Sequence, residues 1–232
     1  MFKTTIRLLV FVSTGIIMIL VSGCKKETIP LTSASYNYFP VAKGKWVEYS
    51  VDSIYHSEND NNNDDSVYSY HFLIREEIDS SFKDGSGKIR QVLKRFRRID
   101  STDAWTLSDV WTQSLTSTLA YRTENNVNFH KLSFPINSTI TWNGNDINTM
   151  EEEMYFYEYF HEPGMFNMLS FDSTISVIQI DENNFVERIF GNEIYAAGVG
   201  LIFRQRDDLG KRNGVVVSGL EYRMEVIDYG NY

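Results

Sequence analysis

The stretch that decides the fold is Leu220-Glu221-Tyr222-Arg223-Met224-Glu225-Val226, close to the end of the chain. Its apolar side chains fall on every second residue, with charged side chains between them. Because successive side chains of a β-strand point to opposite faces, this alternation predicts an antiparallel strand with one buried and one solvated face. Residues 67–76 repeat the pattern, with Tyr68, Tyr70, Phe72 and Ile74 on one face.

Weaker alternation elsewhere raises the predicted number of strands to about ten. Turn sequences separate the predicted strands at Asp84-Gly85-Ser86-Gly87, Asn143-Gly144-Asn145 and Leu209-Gly210-Lys211. No heptad pattern, internal repeat or long amphipathic helix is found in the sequence. We therefore predict an all-β domain over residues 38–232, built on a single antiparallel sheet that is strongly curved and half-barrel or barrel-like.

The start of the chain has the layout of a secretory signal peptide. Lys3 and Arg7 precede an apolar run over residues 8–21, and small residues then lead to Cys24. As a helix, residues 8–22 would span about 22 Å at ~1.5 Å per residue, against a hydrocarbon core of roughly 30 Å. The run is too short for an uncleaved membrane anchor and predicts a cleaved signal.

Val21-Ser22-Gly23-Cys24 resembles a lipobox, the processing site of bacterial lipoproteins. The resemblance implies a signal peptide over residues 1–23, lipidation of the Cys24 sulfur, and a further acyl chain, such as palmitate, on the new amine. Two or three acyl chains anchor a protein stably, because each buried CH₂ contributes about 0.8 kcal/mol. Cys24 is the only cysteine, so no thiol would remain for a disulfide, a nucleophile or a metal ligand.

Residues 24–37 have no apolar period and predict a tether between the anchor and the domain. Lys25 and Lys26 follow the cysteine. In the lipoproteins that this N-terminus resembles, Asp after the cysteine favours the inner membrane and acidic clusters favour the cell surface. The resemblance therefore implies a lipid-anchored protein of the outer membrane, on the periplasmic face in preference to the cell surface.

Two further motifs resemble uncharacterised outer-envelope lipoproteins of Bacteroidota. One is Tyr38-Phe39-Pro40 followed by Gly44-Lys45-Trp46-Val47-Glu48-Tyr49, and the other is Gly198-Val199-Gly200-Leu201-Ile202. The two motifs bracket most of the predicted domain, so they imply its fold. These relatives have no agreed activity, and the resemblance therefore implies no catalytic residue.

The mature chain would be acidic. Without Lys3 and Arg7, 20 Lys and Arg face 31 Asp and Glu, so the net charge becomes -11 in place of -9. Such a body repels polyanions, which argues against nucleic acid as a partner.

Residues 88–98 are a basic exception with two open interpretations. Cross-strand pairing with carboxylates such as Glu76, Glu77 and Asp79 is the favoured one. The alternative is an anionic ligand, either a lipid headgroup or an acidic glycan. The cations of the segment are Lys88, Arg90, Lys94, Arg95, Arg97 and Arg98.

Motifs for metal binding and catalysis are sparse. Oxygen ligands are dense over residues 57–66, but an EF-hand loop from Asp60 needs Gly and Glu where Asp65 and His71 stand. Nucleophile-elbow and zinc-protease motifs are absent, and the histidines are isolated in sequence. We predict no catalytic residue, cofactor or metal, and the alternative is an envelope glycan hydrolase that uses a carboxylate pair. The histidines are His56, His71, His130 and His161.

The run Tyr155-Phe156-Tyr157-Glu158-Tyr159-Phe160 places aromatic residues on both faces of a strand. One face can be core, and the other needs either a second layer or a ligand. We predict a non-catalytic binding module for an apolar or amphipathic ligand, or for an envelope protein partner. Tyr155, Tyr157 and Tyr159 are its predicted ligand-binding residues, with core packing as the open alternative.

Overall fold

The computed structural model of the protein describes residues 35–58 and 66–232. Cys24, the predicted signal peptide and residues 59–65 of the acidic loop considered for calcium lie outside the described residues. The described chain contains a short 3-10 helix, Ser35–Tyr38, and twelve β-strands. The strands are β1 Lys45–Ser57, β2 Ser66–Lys83, β3 Ile89–Arg98, β4 Thr106–Leu115, β5 Leu119–Glu124, β6 Val127–Ser133, β7 Thr141–Asn143, β8 Met154–Phe166, β9 Leu169–Asn183, β10 Glu187–Ala196, β11 Gly200–Arg212 and β12 Val215–Asn231.

All twelve strands belong to one antiparallel sheet, as the alternation in the sequence predicts. Their order is β6-β5-β4-β3-β2-β1-β12-β11-β10-β9-β8-β7, so nearly every strand pairs with its neighbour in the chain. The predicted number of about ten is low partly because a strand as short as β7 has too few residues for a detectable alternation.

The two edge strands, β6 and β7, meet and make the sheet nearly closed and barrel-like. The backbone N–H of His130 on β6 donates to the carbonyl of Gly144, just after β7, at 2.9 Å. The indole N–H of Trp142 on β7 donates to the His130 carbonyl at 3.0 Å. These bonds satisfy polar groups that an open edge would expose.

The core fills the inside of the curved sheet. On β12, Met224 and Val226 are fully buried, which confirms the face predicted from the sequence. Tyr49 of β1 lies opposite Val226 and continues the same inner face. After the 3-10 helix, Phe39 packs into the core and Tyr38 is almost completely buried beside it. Within the described part of the chain, no helix is long and apolar enough to cross a bilayer.

The glycine turns are predicted correctly at two of three places. Residues 84–87 connect β2 to β3, and the turn at residues 143–145 begins at the last residue of β7, but Leu209-Gly210-Lys211 lies inside β11. The turn after β11 is at Asn213 and Gly214, whose positive φ values of 53° and 82° suit an Asn-Gly hairpin turn. Gly210 instead stands beside a bulge, where a Cβ would lie 2.5 Å from the Ser218 hydroxyl.

Candidate binding cleft

Charged side chains occupy the inner face of the sheet beside the apolar core. On β2, Glu76 is in phase with buried Ile74, and on β10, Glu193 is in phase with buried Tyr195. An unpaired charge is very costly to bury, so each of these carboxylates requires cationic partners from other strands. Two ion-pair networks supply the partners.

The first network surrounds Glu76, which is only 4% exposed. Its carboxylate accepts from Arg122 Nη1 at 3.0 Å and lies 3.3 Å from Arg95 Nε. Arg122 also donates to Gln113 Oε1 at 3.1 Å, and Gln113 donates to the carbonyl of Pro40 at 2.8 Å. The network thereby joins four strands, β2 to β5, to the segment that follows the 3-10 helix.

The second network surrounds Glu193, which is 1% exposed. Its Oε1 lies 2.6 Å from Lys131 Nζ and 2.7 Å from Arg204 Nη2, and its other oxygen accepts from the Tyr195 hydroxyl. Glu124 shares both cations, at 2.9 Å from Arg204 and 3.4 Å from Lys131. Residues of β5, β6, β10 and β11 are thus tied together inside the sheet.

Both carboxylates of the second network are held in the charged form. Burial by itself raises the pKa of Glu193, but Arg204 and Lys131 outweigh it and lower that pKa to about 2. Burial likewise opposes ionisation of Glu124, whose pKa is lowered by Arg204 and Lys131. Neither group therefore carries a proton near neutral pH.

A cleft of about 270 Å³ opens above the second network. Phe129, Met150 and the ring of Tyr155 provide its apolar lining. Arg206 and Glu153 form a further ion pair at its rim, 2.5 Å apart. The charged residues of the lining are Glu124, Glu153, Glu193, Lys131, Arg204 and Arg206, three of each sign, and Gln179 completes it.

Two glycines lie against side chains that line the cleft. A Cβ on Gly144 would lie 2.1 Å from the Tyr155 ring, so only glycine permits the ring to rest on that backbone. A Cβ on Gly191 would lie 3.0 Å from Arg206 Nη1. The contact of Gly191 with Arg206 is with the free end of a flexible side chain, which can shift by a small distance, whereas the Tyr155 ring requires glycine at position 144.

No protein-family model and no curated protein matches the chain. It is similar to two crystal structures. A "putative exported protein with YmcC-like fold" from Bacteroides fragilis has a TM-score of 0.46 and 11% identity, over 83% of this chain and 98% of that chain. A "putative lipoprotein" from Parabacteroides distasonis has a TM-score of 0.42 and 10% identity, over the same shares of the two chains.

The structure does not bring the three predicted tyrosines together. Tyr155 is buried and lines the cleft. Tyr157 is also buried, but its hydroxyl bridges the backbone N–H and C=O of Ser133 at 3.0 and 2.7 Å, at the junction of β8 with β6. Tyr159 is 54% exposed. The register of β8 shifts between Tyr157 and Phe160, which breaks the alternation on which the prediction relied.

The four histidines have separate partners and form no common cluster. Among the described residues, no three His, Cys, Asp or Glu side chains converge as a metal site. The histidine contacts are His56 with Glu221 at 2.7 Å, His71 with Asp52 at 2.9 Å, His130 with Asp146 at 3.1 Å, and His161 with the Tyr38 hydroxyl at 2.8 Å.

Most of the charged residues that line the cleft are not predicted from the sequence. A usable signal existed, because Glu193 and Arg204 stand in the phase of the buried residues Tyr195 and Ile202. A charged side chain at such a position either disrupts the strand or requires a buried partner of opposite charge. The sequence does not identify that partner, because Lys131 is 62 residues from Glu193.

Proposed function

We propose that this protein is a lipid-anchored component of the outer envelope whose β domain binds a small amphipathic ligand without transforming it. The anchor is Cys24, at the lipobox-like sequence, and the periplasmic face of the outer membrane is the proposed location. The observation that carries the binding proposal is the cleft beside Tyr155, where an apolar lining stands over a floor of ion pairs.

The charge balance of the cleft favours a ligand whose polar end has no net charge. Three carboxylates and three cations line it, and contacts of 2.5 to 2.9 Å pair every one of them. A charged ligand group would have to displace one of these partners and leave a buried charge unpaired. A hydroxyl, amide or zwitterionic end can bond to the paired groups while an apolar portion contacts Phe129 and Met150.

The size of the cleft favours a small ligand or one portion of a larger one. Small-molecule sites commonly occupy about 300 to 1,000 Å³, and this cleft lies near the lower limit. Its apolar lining is short, so we propose an uncharged or zwitterionic amphiphile in preference to a long apolar chain.

The electrostatics support binding over the alternative of a glycan hydrolase. Glycoside hydrolysis needs one carboxyl group that stays protonated near neutral pH as the general acid. In the cleft, Lys131 and Arg204 lower the pKa of both Glu124 and Glu193, the opposite of that requirement.

The proposal is tested with Met150→Asp, which adds a charge to the apolar lining at a side chain that is 54% exposed. Met168→Asp is the matched control, because Met168 is 90% exposed and does not line the cleft. We expect Met150→Asp to weaken binding of the uncharged probe N-phenyl-1-naphthylamine roughly tenfold, and Met168→Asp to leave it unchanged. Equal probe binding by both variants and wild type would overturn the proposal.

Native mass spectrometry of the protein from its own membrane identifies the class of partner. A small adduct that is lost in Met150→Asp supports the proposed ligand. Recovery of a stoichiometric envelope protein, without a small adduct, would instead support the protein-partner interpretation.

A further inference from the structure

One arginine differs from all others in the described part of the chain. Ten of the eleven arginines there contact a carboxylate at 3.7 Å or less, whereas Arg97 has no such partner among the described residues. The ten are Arg75, Arg90, Arg95, Arg98, Arg122, Arg188, Arg204, Arg206, Arg212 and Arg223.

The contrast is sharpest within the basic segment itself. The predicted cross-strand pairing is confirmed for Lys94 with Asp79 and for Arg95 with Glu76, at 2.6 and 3.3 Å. Arg90 and Arg98 also pair with carboxylates, Asp84 and Glu48. Lys88 and Arg97 are therefore the two cations of this segment that have no carboxylate partner among the described residues, and Arg97 is the arginine of the pair.

The guanidinium of Arg97 is held in place without being neutralised. It lies over the ring of Phe72, with 4.0 Å between the guanidinium carbon and the ring centroid. A ring in this position fixes the plane of the guanidinium and leaves its N–H groups free for another acceptor. The side chain is exposed, so a ligand can reach it.

Arg97 forms one wall of a groove of about 480 Å³ at the connection from β3 to β4. Ile99, Ala104 and Leu107 provide apolar surface beside it, and Ile99 and Leu107 are 62% and 51% exposed. The other charged side chains of the lining are Arg98 and Asp103. Arg98 is engaged by Glu48 and the carbonyl of Ser101, and Asp103 accepts from the backbone N–H of Asp100.

We propose that this groove binds a single-chain anionic amphiphile. The phosphate or carboxylate head contacts the Arg97 guanidinium, whose planar fork suits two parallel hydrogen bonds to such a group. The first carbons of the chain lie on Ile99 and Leu107. Repulsion from Asp103 directs the head toward Arg97, and the free positive charge is complementary to the anion. The groove and the cleft share no lining residue, so this site is separate from the proposed function.

The test uses Arg97→Gln in the full chain, solubilised in an uncharged detergent, with hexyl phosphate titrated calorimetrically against a micelle blank. We expect the affinity to fall roughly tenfold or more, because a charge-assisted hydrogen bond is lost. The matched control is Arg188→Gln, since Arg188 also lies over a phenylalanine ring, Phe190, but has Asp181 as its partner at 2.6 Å. Arg97→Lys, which keeps the charge without the fork, should fall between Arg97→Gln and wild type.

Inorganic phosphate, hexanol and Leu107→Ser test the contributions of the head and of the chain separately. We expect wild type to bind inorganic phosphate and hexanol more weakly than hexyl phosphate. We also expect Leu107→Ser to bind hexyl phosphate more weakly than wild type does. Competition by phosphatidylglycerol in mixed micelles, but not by phosphatidylcholine in mixed micelles, would assign the head to a membrane lipid; no competition would assign it to a free amphiphile. Equal affinity of Arg97→Gln and Arg188→Gln, or phosphate binding as tight as hexyl phosphate, would overturn the proposal.

Discussion

At the scale of single residues, Glu193 connects the electrostatics of the cleft to the stability of the fold. Its carboxylate is fully buried between Lys131 and Arg204, and its pKa falls from a usual value of 4.5 to about 2. The unfolded chain therefore binds this proton at a higher pH than the folded chain does. The ionised Glu193 therefore stabilises the folded state by about 3 kcal/mol above about pH 4.5. This stabilisation is lost as the pH falls toward 2.

Replacing Glu193 by Gln should destabilise the domain by roughly 3 to 5 kcal/mol at pH 7, because it leaves two buried cations short of a partner. Urea unfolding at pH 7 and at steps down to pH 3 measures the free energy of unfolding. The difference in this free energy between variant and wild type should decrease as the pH falls. Glu182→Gln is the control, because Glu182 is exposed on the neighbouring strand β9. This change should alter the free energy of unfolding by no more than about 0.5 kcal/mol. A pH-independent gap would contradict the assignment.

At the scale of elements, β8 shows where period-two reasoning succeeds and where it ends. The sequence predicts a strand through the aromatic run, and β8 spans Met154–Phe166. The register shift after Tyr157 cannot be read from the run, because a bulge depends on the partner strand. Tyr157 precedes the shift, stays buried in phase with Tyr155 and bonds to β6, whereas Tyr159 is exposed.

Tyr157→Phe tests the role of this junction. The change removes a hydroxyl that bonds to both backbone groups of Ser133. We expect the free energy of unfolding to fall by about 1 to 3 kcal/mol, because these partly buried groups lose their partner. Tyr159→Phe makes the same chemical change at an exposed site of the same strand and should be neutral within about 0.5 kcal/mol. Thermal or urea unfolding compares the two. Identical midpoints for both variants would show that the hydroxyl of Tyr157 contributes nothing to closure.

For the molecule as a whole, the sequence predicts an all-β fold with one curved sheet, but it does not predict that the edge strands β6 and β7 meet. Alternation in stretches such as residues 220–226 is local, so it identifies strands and one buried face. Antiparallel neighbours follow because short turns join consecutive strands. The meeting of β6 with β7 depends on bonds such as Trp142 to the His130 carbonyl, which no local pattern indicates. The ion pairs of the cleft join strands that this closure brings together, so they too cannot be predicted from local patterns.

The proposed anchor and the described domain should be separable, because within the described residues the buried core begins at Tyr38. Cys24→Ser removes the sulfur that would carry diacylglycerol, and with it the two-chain hold on the bilayer. We expect this variant to be absent from the mature, acylated outer-membrane fraction, while its unfolding transition matches that of wild type. Ser22→Ala, which keeps a small residue before the cysteine, should still be processed and anchored. Cell fractionation with intact mass measurement distinguishes the two variants. If Cys24→Ser still carries the mass of the acyl chains and still partitions with membranes, Cys24 is not the anchor. The proposed envelope location would then lose its support.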